Sequence, residues 1–126
     1  MQDTRSNVKE NNLRKRTKEF AKRIIELCRV LPDNREGRLI GNQIFRSGTS
    51  VAANYRAACR ARSGADFISK MGIIEEEADE TQFWLEMIKE MNIIVDKPLL
   101  DSLIKESDEL VAIVITSIKI ARGSKK

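Results

Sequence analysis

Phe67, Met71, Ile74, Ala78, Thr81, Leu85 and Ile88 alternate at spacings of four and three residues. This is the signature of an α-helix with one apolar stripe, since a half-buried strand repeats every two residues. The stripe predicts a helix over about residues 66–94. A helix of that length hides such a face against other helices, so the fold class is all-α. The same segment carries a second apolar set. At 100° per residue, Ile73, Trp84, Met87 and Met91 gather on nearly the opposite side. A simple monomeric bundle covers one face of each helix, so the second face is expected to meet another subunit.

Three more segments share the period. Leu13, Thr17, Phe20, Ile24, Leu27 and Leu31 mark a first helix over about 11–31, closed by Pro32-Asp33-Asn34 because the residue before proline avoids the helical region. Leu39/Ile40, Ile44, Val51, Tyr55 and Ala58 mark the inner face of a second, over about 35–61. Gly41 and Gly48 lie seven residues apart on one side of it. Each costs about 1 kcal/mol relative to Ala, which close helix packing would offset. Gly48 is assigned to an oligomer contact. Ser63 with Asp66 three residues on forms a loose capping box before the third helix. Asp96-Lys97-Pro98 is a turn, and Leu103, Ser107, Leu110, Val111, Val114, Ile118 and Ala121 face the core of a fourth helix over about 98–121. Ile113 and Ile120 fall off that stripe and are assigned to the oligomer interface with Ile73, Trp84, Met87 and Met91. Gly123 ends the helix. Four helices with short connections predict an antiparallel up-down-up-down bundle over residues 11–122, with a flexible N-terminal tail at 1–10 and a C-terminal tail at 123–126.

Composition narrows the chemistry. The 126 residues include no histidine, which removes the usual general base, the usual catalytic triad and most zinc sites together. Ser47, Thr49 and Ser50 have no base beside them and read as hydroxyls at a close helix contact. The carboxylates Glu75, Glu76, Glu77, Asp79 and Glu80 lack the Glu-x-x-His partners of a di-iron bundle and read as a solvated acidic face. No catalytic residue, metal, cofactor or small-molecule substrate is expected. Cys28 and Cys59 sit among apolar positions and read as small hydrophobes. The N-terminus is polar and no run of 18 apolar residues occurs, so no membrane association and a cytoplasmic location are expected.

Charge is uneven. Residues 1–62 hold 15 Lys/Arg and 6 Asp/Glu, a net +9, while residues 63–126 hold 8 and 13, a net −5. The basic half suits an anionic partner, or the two halves neutralise each other. Arg14, Lys15, Arg16, Lys18, Lys22 and Arg23 crowd the first helix and are assigned to phosphate contacts. Arg46, Arg56, Arg60 and Arg62 on the second are candidates for phosphate or for the carboxylates of the third. Tyr55, Phe67 and Trp84 read as core or interface, so base stacking is not expected.

The stretch from Arg46 to Leu85 resembles a known signature. Its elements are Arg46, Ser47–Ser50, Asn54-Tyr55-Arg56, Ser63, Glu75–Glu80 and Trp84-Leu85. Over roughly residues 15–120 the chain is similar to the small four-helix-bundle proteins encoded within intervening sequences of bacterial large-subunit ribosomal RNA genes. That resemblance implies a homopentameric ring with a central channel. A distant relative of that family is the accessory protein of diversity-generating retroelements, which binds nucleic acid and a reverse transcriptase through a basic surface. The resulting expectation is a non-enzymatic, ring-forming accessory protein that binds RNA or DNA phosphates. A structural or protein-interaction scaffold, with arginines serving subunit pairing, is the alternative.

Overall fold

The computed structural model describes residues 4–93 and 95–123, with side chains from residue 12 onward. It contains α1 (Thr4–Val30), α2 (Arg35–Ala58), α3 (Gly64–Glu90) and α4 (Lys97–Gly123), and no strand among the described residues. The chain is therefore all-α. Each helix packs on the next and α1 also meets α4, closing a four-helix bundle. The α1–α4 seam is the loosest of the four.

The stripes fill one core. Phe20, Ile24 and Leu27 from α1 meet Ile44 and Val51 from α2, Met71, Ile74, Leu85 and Ile88 from α3, and Leu103, Leu110 and Val114 from α4. Leu39 departs from its expected inner position and is exposed, while its neighbour Ile40 is buried. Gly48 is a correction of another kind. It is buried against α1, and a Cβ there would stand 2.8 Å from both γ carbons of Ile24. A residue covered by its own chain is not available to a second subunit. The glycine lets α1 and α2 close up, which accounts for the tolerated loss of helix propensity.

Local chemistry sets the helix ends. The Asn34 side chain accepts from the Gly37 amide at 2.8 Å and starts α2. The Ser63 hydroxyl accepts from the Asp66 amide at 3.0 Å and starts α3, so the loose capping box is present. Asp96 caps α4 by accepting from the Leu99 amide at 3.1 Å, and Pro98 is the second helical residue, where its missing N–H costs nothing.

Three ends differ from the periodic reading. Helix α1 is already formed at Thr4, so residues 4–10 extend it where a tail was expected; residues 1–3 and 124–126 lie outside the described residues. These polar residues carry no stripe, and periodicity cannot see them. Helix α2 stops at Ala58, three residues early, where the Arg60 and Ala61 amides turn back to the Ala57 and Ala58 carbonyls. Helix α3 stops at Glu90 because Asn92 adopts φ 52°. The Ile93 amide then reaches the Ile88 carbonyl at 3.0 Å and the Asn92 amide the Lys89 carbonyl at 3.2 Å. This is a Schellman closure with asparagine in the left-handed seat.

Candidate nucleic-acid interface

The basic residues of α1 and α2 fall into two groups once the helices are placed. Arg16 and Arg46 are spent on carboxylates. The Arg16 guanidinium donates to Glu106 at 3.0 and 2.7 Å and to Glu109 at 3.4 Å, tying α1 to α4. Arg46 donates to Glu77 at 2.9 Å and Glu80 at 2.6 Å, tying α2 to α3. Hydrogen bonds to the carboxylates raise the pKa of both guanidiniums, Glu106 acting first on Arg16 and Glu80 first on Arg46. Arg23 is half-buried and donates to the Ser102 hydroxyl of α4.

The second group faces solvent without an ion pair, although the Arg62 amide donates to the Asp66 carboxylate at 3.3 Å, and the Lys70 hydrogen bond first and Arg62 after it hold the Asp66 pKa down. Among the described residues, Arg14, Lys15, Lys18, Lys22, Arg56, Arg60 and Arg62 make no ion pair, and all are exposed. Four of them converge. Arg14, Lys15 and Lys18 from α1 and Arg56 from α2 border a groove of about 510 Å³ between the two helices. Thr17, Thr49, Ala52, Ala53 and Tyr55 line it as well. Lys22 continues the basic row along α1 into an adjoining depression of about 380 Å³, which Glu19 also lines.

The small residues of α2 thus serve two purposes. Ser47 and Gly48 are buried in helix contacts, whereas Ala53 is exposed and Thr49 and Ala52 are half-buried in the groove lining. Their shortness keeps the groove open between the cationic walls. Such a channel concentrates positive potential and admits a chain of anionic groups.

The carboxylates of α3 do not gather. Glu77 and Glu80 answer Arg46, Glu76 and Asp79 are exposed, and Glu75 is half-buried. Among the described residues no three histidine, cysteine or acidic side chains are placed to share a metal ion. Neither cysteine is in a disulfide, and both are half-buried, Cys28 donating weakly to the Gly41 carbonyl at 3.7 Å. Among the described residues, no helix is long and apolar enough to cross a membrane.

The residues assigned to an oligomer contact separate into two places. On α3, Ile73 is exposed, as is Met91 just past its end, while Trp84 and Met87 are half-buried. Trp84 donates its indole N–H to Glu80 at 3.3 Å and meets Phe83 edge to face, ring centroids 4.9 Å apart. On α4, half-buried Ile113 and exposed Ile120 line a different groove, of about 490 Å³ at the α1–α4 seam, with Leu13, Tyr55 and Phe67. Periodicity missed exposed Phe83 and Phe45. Each stands outside the repeat of its helix, and bulk and apolarity are the signals that mark them.

Comparison with known proteins adds a family. The family model described as 23S rRNA-intervening sequence protein matches residues 9–116. The crystal structure of a protein with unknown function from the S23 ribosomal protein family of Bacteroides thetaiotaomicron is similar to this chain, with 38% sequence identity and a TM-score of 0.79 over 88% of this chain and 98% of that one. No curated protein matches.

Proposed function

This chain belongs to the 23S rRNA-intervening sequence protein family, and from that premise we propose that it is a non-enzymatic accessory protein that holds RNA or DNA by its phosphates in the α1–α2 groove. The observation that carries this reading is the convergence of exposed Arg14, Lys15, Lys18 and Arg56, none in an ion pair among the described residues, on one groove. Unpaired cations around a concavity gain from phosphate by releasing its condensed counterions. Phosphate contacts position a nucleic acid without reading its sequence, so binding follows salt steeply and sequence weakly. Arg60 and Arg62, exposed near the end of the same helix, extend the basic surface.

Within this proposal the bundle is up-down-up-down and antiparallel. Support comes from the pairings Lys89–Asp101 and Gln82–Asp108, in which the α3 position falls as the α4 position rises. Assembly is a homopentameric ring, the number taken from the family resemblance. Exposed Ile73 and Phe83 on α3, Met91 just past its end and Ile120 on α4 support a subunit contact. The setting is cytoplasmic, and no small-molecule substrate or membrane takes part.

One observation favours the scaffold reading. Arg46 is engaged by Glu77 and Glu80, so an arginine of the signature does serve pairing between helices. Alanine at Arg14, Lys15, Lys18 and Arg56 together separates the two readings in a gel-shift titration with RNA. Loss of binding with the oligomer intact supports the nucleic-acid reading. Binding unchanged by the four substitutions, or absent from the unsubstituted protein at low salt, overturns it in favour of a scaffold.

A further inference from the structure

We infer that the α1–α2 groove grips one sugar–phosphate ridge of a nucleic-acid duplex and leaves the bases stacked and unread. The inference rests on the phosphate-binding reading above and narrows it to a class of ligand.

Shape comes first. A helix that reads bases stands proud and enters a duplex groove. Here the basic surface is concave, with Arg14, Lys15 and Lys18 on one wall and Arg56 on the other. A concavity accepts a ridge. The α2 residues Thr49, Ala52 and Ala53 that line it are short and leave room for that ridge between the cations. The Thr49 hydroxyl is already committed, donating to the Phe45 carbonyl at 2.8 Å.

Spacing agrees. Arg14, Lys18 and Lys22 recur every four residues. Each step advances about 6 Å along a helix axis, comparable to the separation of neighbouring phosphates on one strand. A row of cations in such register follows a backbone of regular phosphate spacing, which a duplex imposes and a free strand does not. Glu19 lies beside the row on α1, which limits the run of consecutive contacts.

What lines the groove favours a duplex over a single strand. Single-strand binding proteins stack unpaired bases on exposed aromatic faces. Among the described residues, the only aromatic residue lining this groove is Tyr55, which is 4% exposed and has its ring in the core. Among the described residues no asparagine or glutamine lines it either, so none of them is a common reader of adenine edges. A ligand here gains charge neutralisation and little else. A duplex carries roughly one charge per 1.7 Å of its axis, a denser target than one strand.

The test is fluorescence anisotropy of the full chain with three labelled probes: a short RNA duplex, the DNA duplex of the same sequence, and the RNA strand alone. Each is titrated between about 50 and 200 mM salt. The expected result is duplex binding at least about tenfold tighter than the strand, with a log–log salt slope of about −3 to −4 for roughly four phosphates. Scrambling the duplex sequence leaves affinity within about twofold. The Lys18→Ala/Arg56→Ala variant flattens the slope by about 2. A strand that binds as tightly as the duplex, and is weakened by the same variant, overturns the duplex inference and leaves the phosphate reading standing. No binding to any probe overturns the phosphate reading itself. Duplex binding untouched by the variant places the site elsewhere and overturns the inference. The RNA and DNA arms differ only if the ridge is recognised by its form, and their ratio identifies which duplex is the ligand.

Discussion

The Thr81 hydroxyl donates a 2.8 Å hydrogen bond to the Ser47 hydroxyl, and both side chains are fully buried where α2 meets α3. Thr81 is also 2.8 Å from the Glu77 carbonyl and Ser47 is 3.4 Å from the Ile44 carbonyl, so each hydroxyl has a partner within its own helix as well. The pair fixes the axial register of two helices whose buried contact is otherwise largely apolar. Beside it, at the surface, Arg46 spans the same two helices to Glu77 and Glu80.

Replacing Thr81 with Val keeps the shape and removes the donor. Such a loss costs about 1 kcal/mol, because a buried hydrogen bond is exchanged for an acceptor left short of one partner. The Ser47→Ala/Thr81→Val double variant should cost less than the two single changes added together, since neither hydroxyl is then stranded. Urea unfolding of the four proteins checks this. Strict additivity would show that the bond contributes nothing as a pair.

Gly48→Ala should destabilise the fold by about 1–3 kcal/mol through overpacking, although alanine is the better helix former. The new methyl would stand 2.8 Å from two carbons of Ile24. Ile24→Ala costs about 2–5 kcal/mol alone by opening a cavity, and should cost clearly less on the Gly48→Ala background, where the added methyl occupies part of that space. Thermal denaturation of the cycle measures the coupling.

Arg46 and Arg56 should behave oppositely toward nucleic acid. Arg46 is already neutralised by two carboxylates, and Arg56 stands at the groove without one. Arg56→Ala should weaken binding to an RNA duplex several-fold at low salt and reduce the salt slope by about 1, while Arg46→Ala leaves both within about twofold. Anisotropy titrations at two salt concentrations distinguish them.

Much of this was legible in the sequence and some was not, for identifiable reasons. The four-three alternation from Phe67 to Ile88 sets one face of α3 inward whatever its neighbours are, so the class and most of the core could be read directly. The partner of a residue on the flank of a stripe depends on how each helix is rotated about its axis, which period does not determine. Gly48 therefore read as a contact with another subunit and lies against Ile24 of its own chain. Arg46 and Arg56 read alike, and only the placement of α3 separates them. The groove itself is a property of two helices together. Its cations were visible one helix at a time, and their convergence was not.

Alkaline stability should report on Cys28. Burial pushes this thiol up to about 11 from an ordinary 9.0. A pKa raised in the folded state means that the folded protein holds the proton longer than the unfolded chain. The resulting stability is fully present below about pH 9 and is lost as pH rises toward about 11. Cys28→Ala should lose less stability than the unsubstituted protein across that window in denaturant titrations, since the other titrating groups are common to both. Parallel losses would show that the thiol is not buried in solution.

Binding of nucleic acid on the α1–α2 groove underlies the roles proposed for Arg14, Lys15, Lys18 and Arg56. It is tested most directly by light-scattering mass coupled to size exclusion, with and without a short RNA duplex, at low and moderate salt. The expected result is an oligomer whose mass rises by bound duplex at low salt and returns to the protein value as salt increases, with no rise for the Arg14→Ala/Lys15→Ala/Lys18→Ala/Arg56→Ala variant. An oligomer that ignores the duplex even at low salt would contradict it.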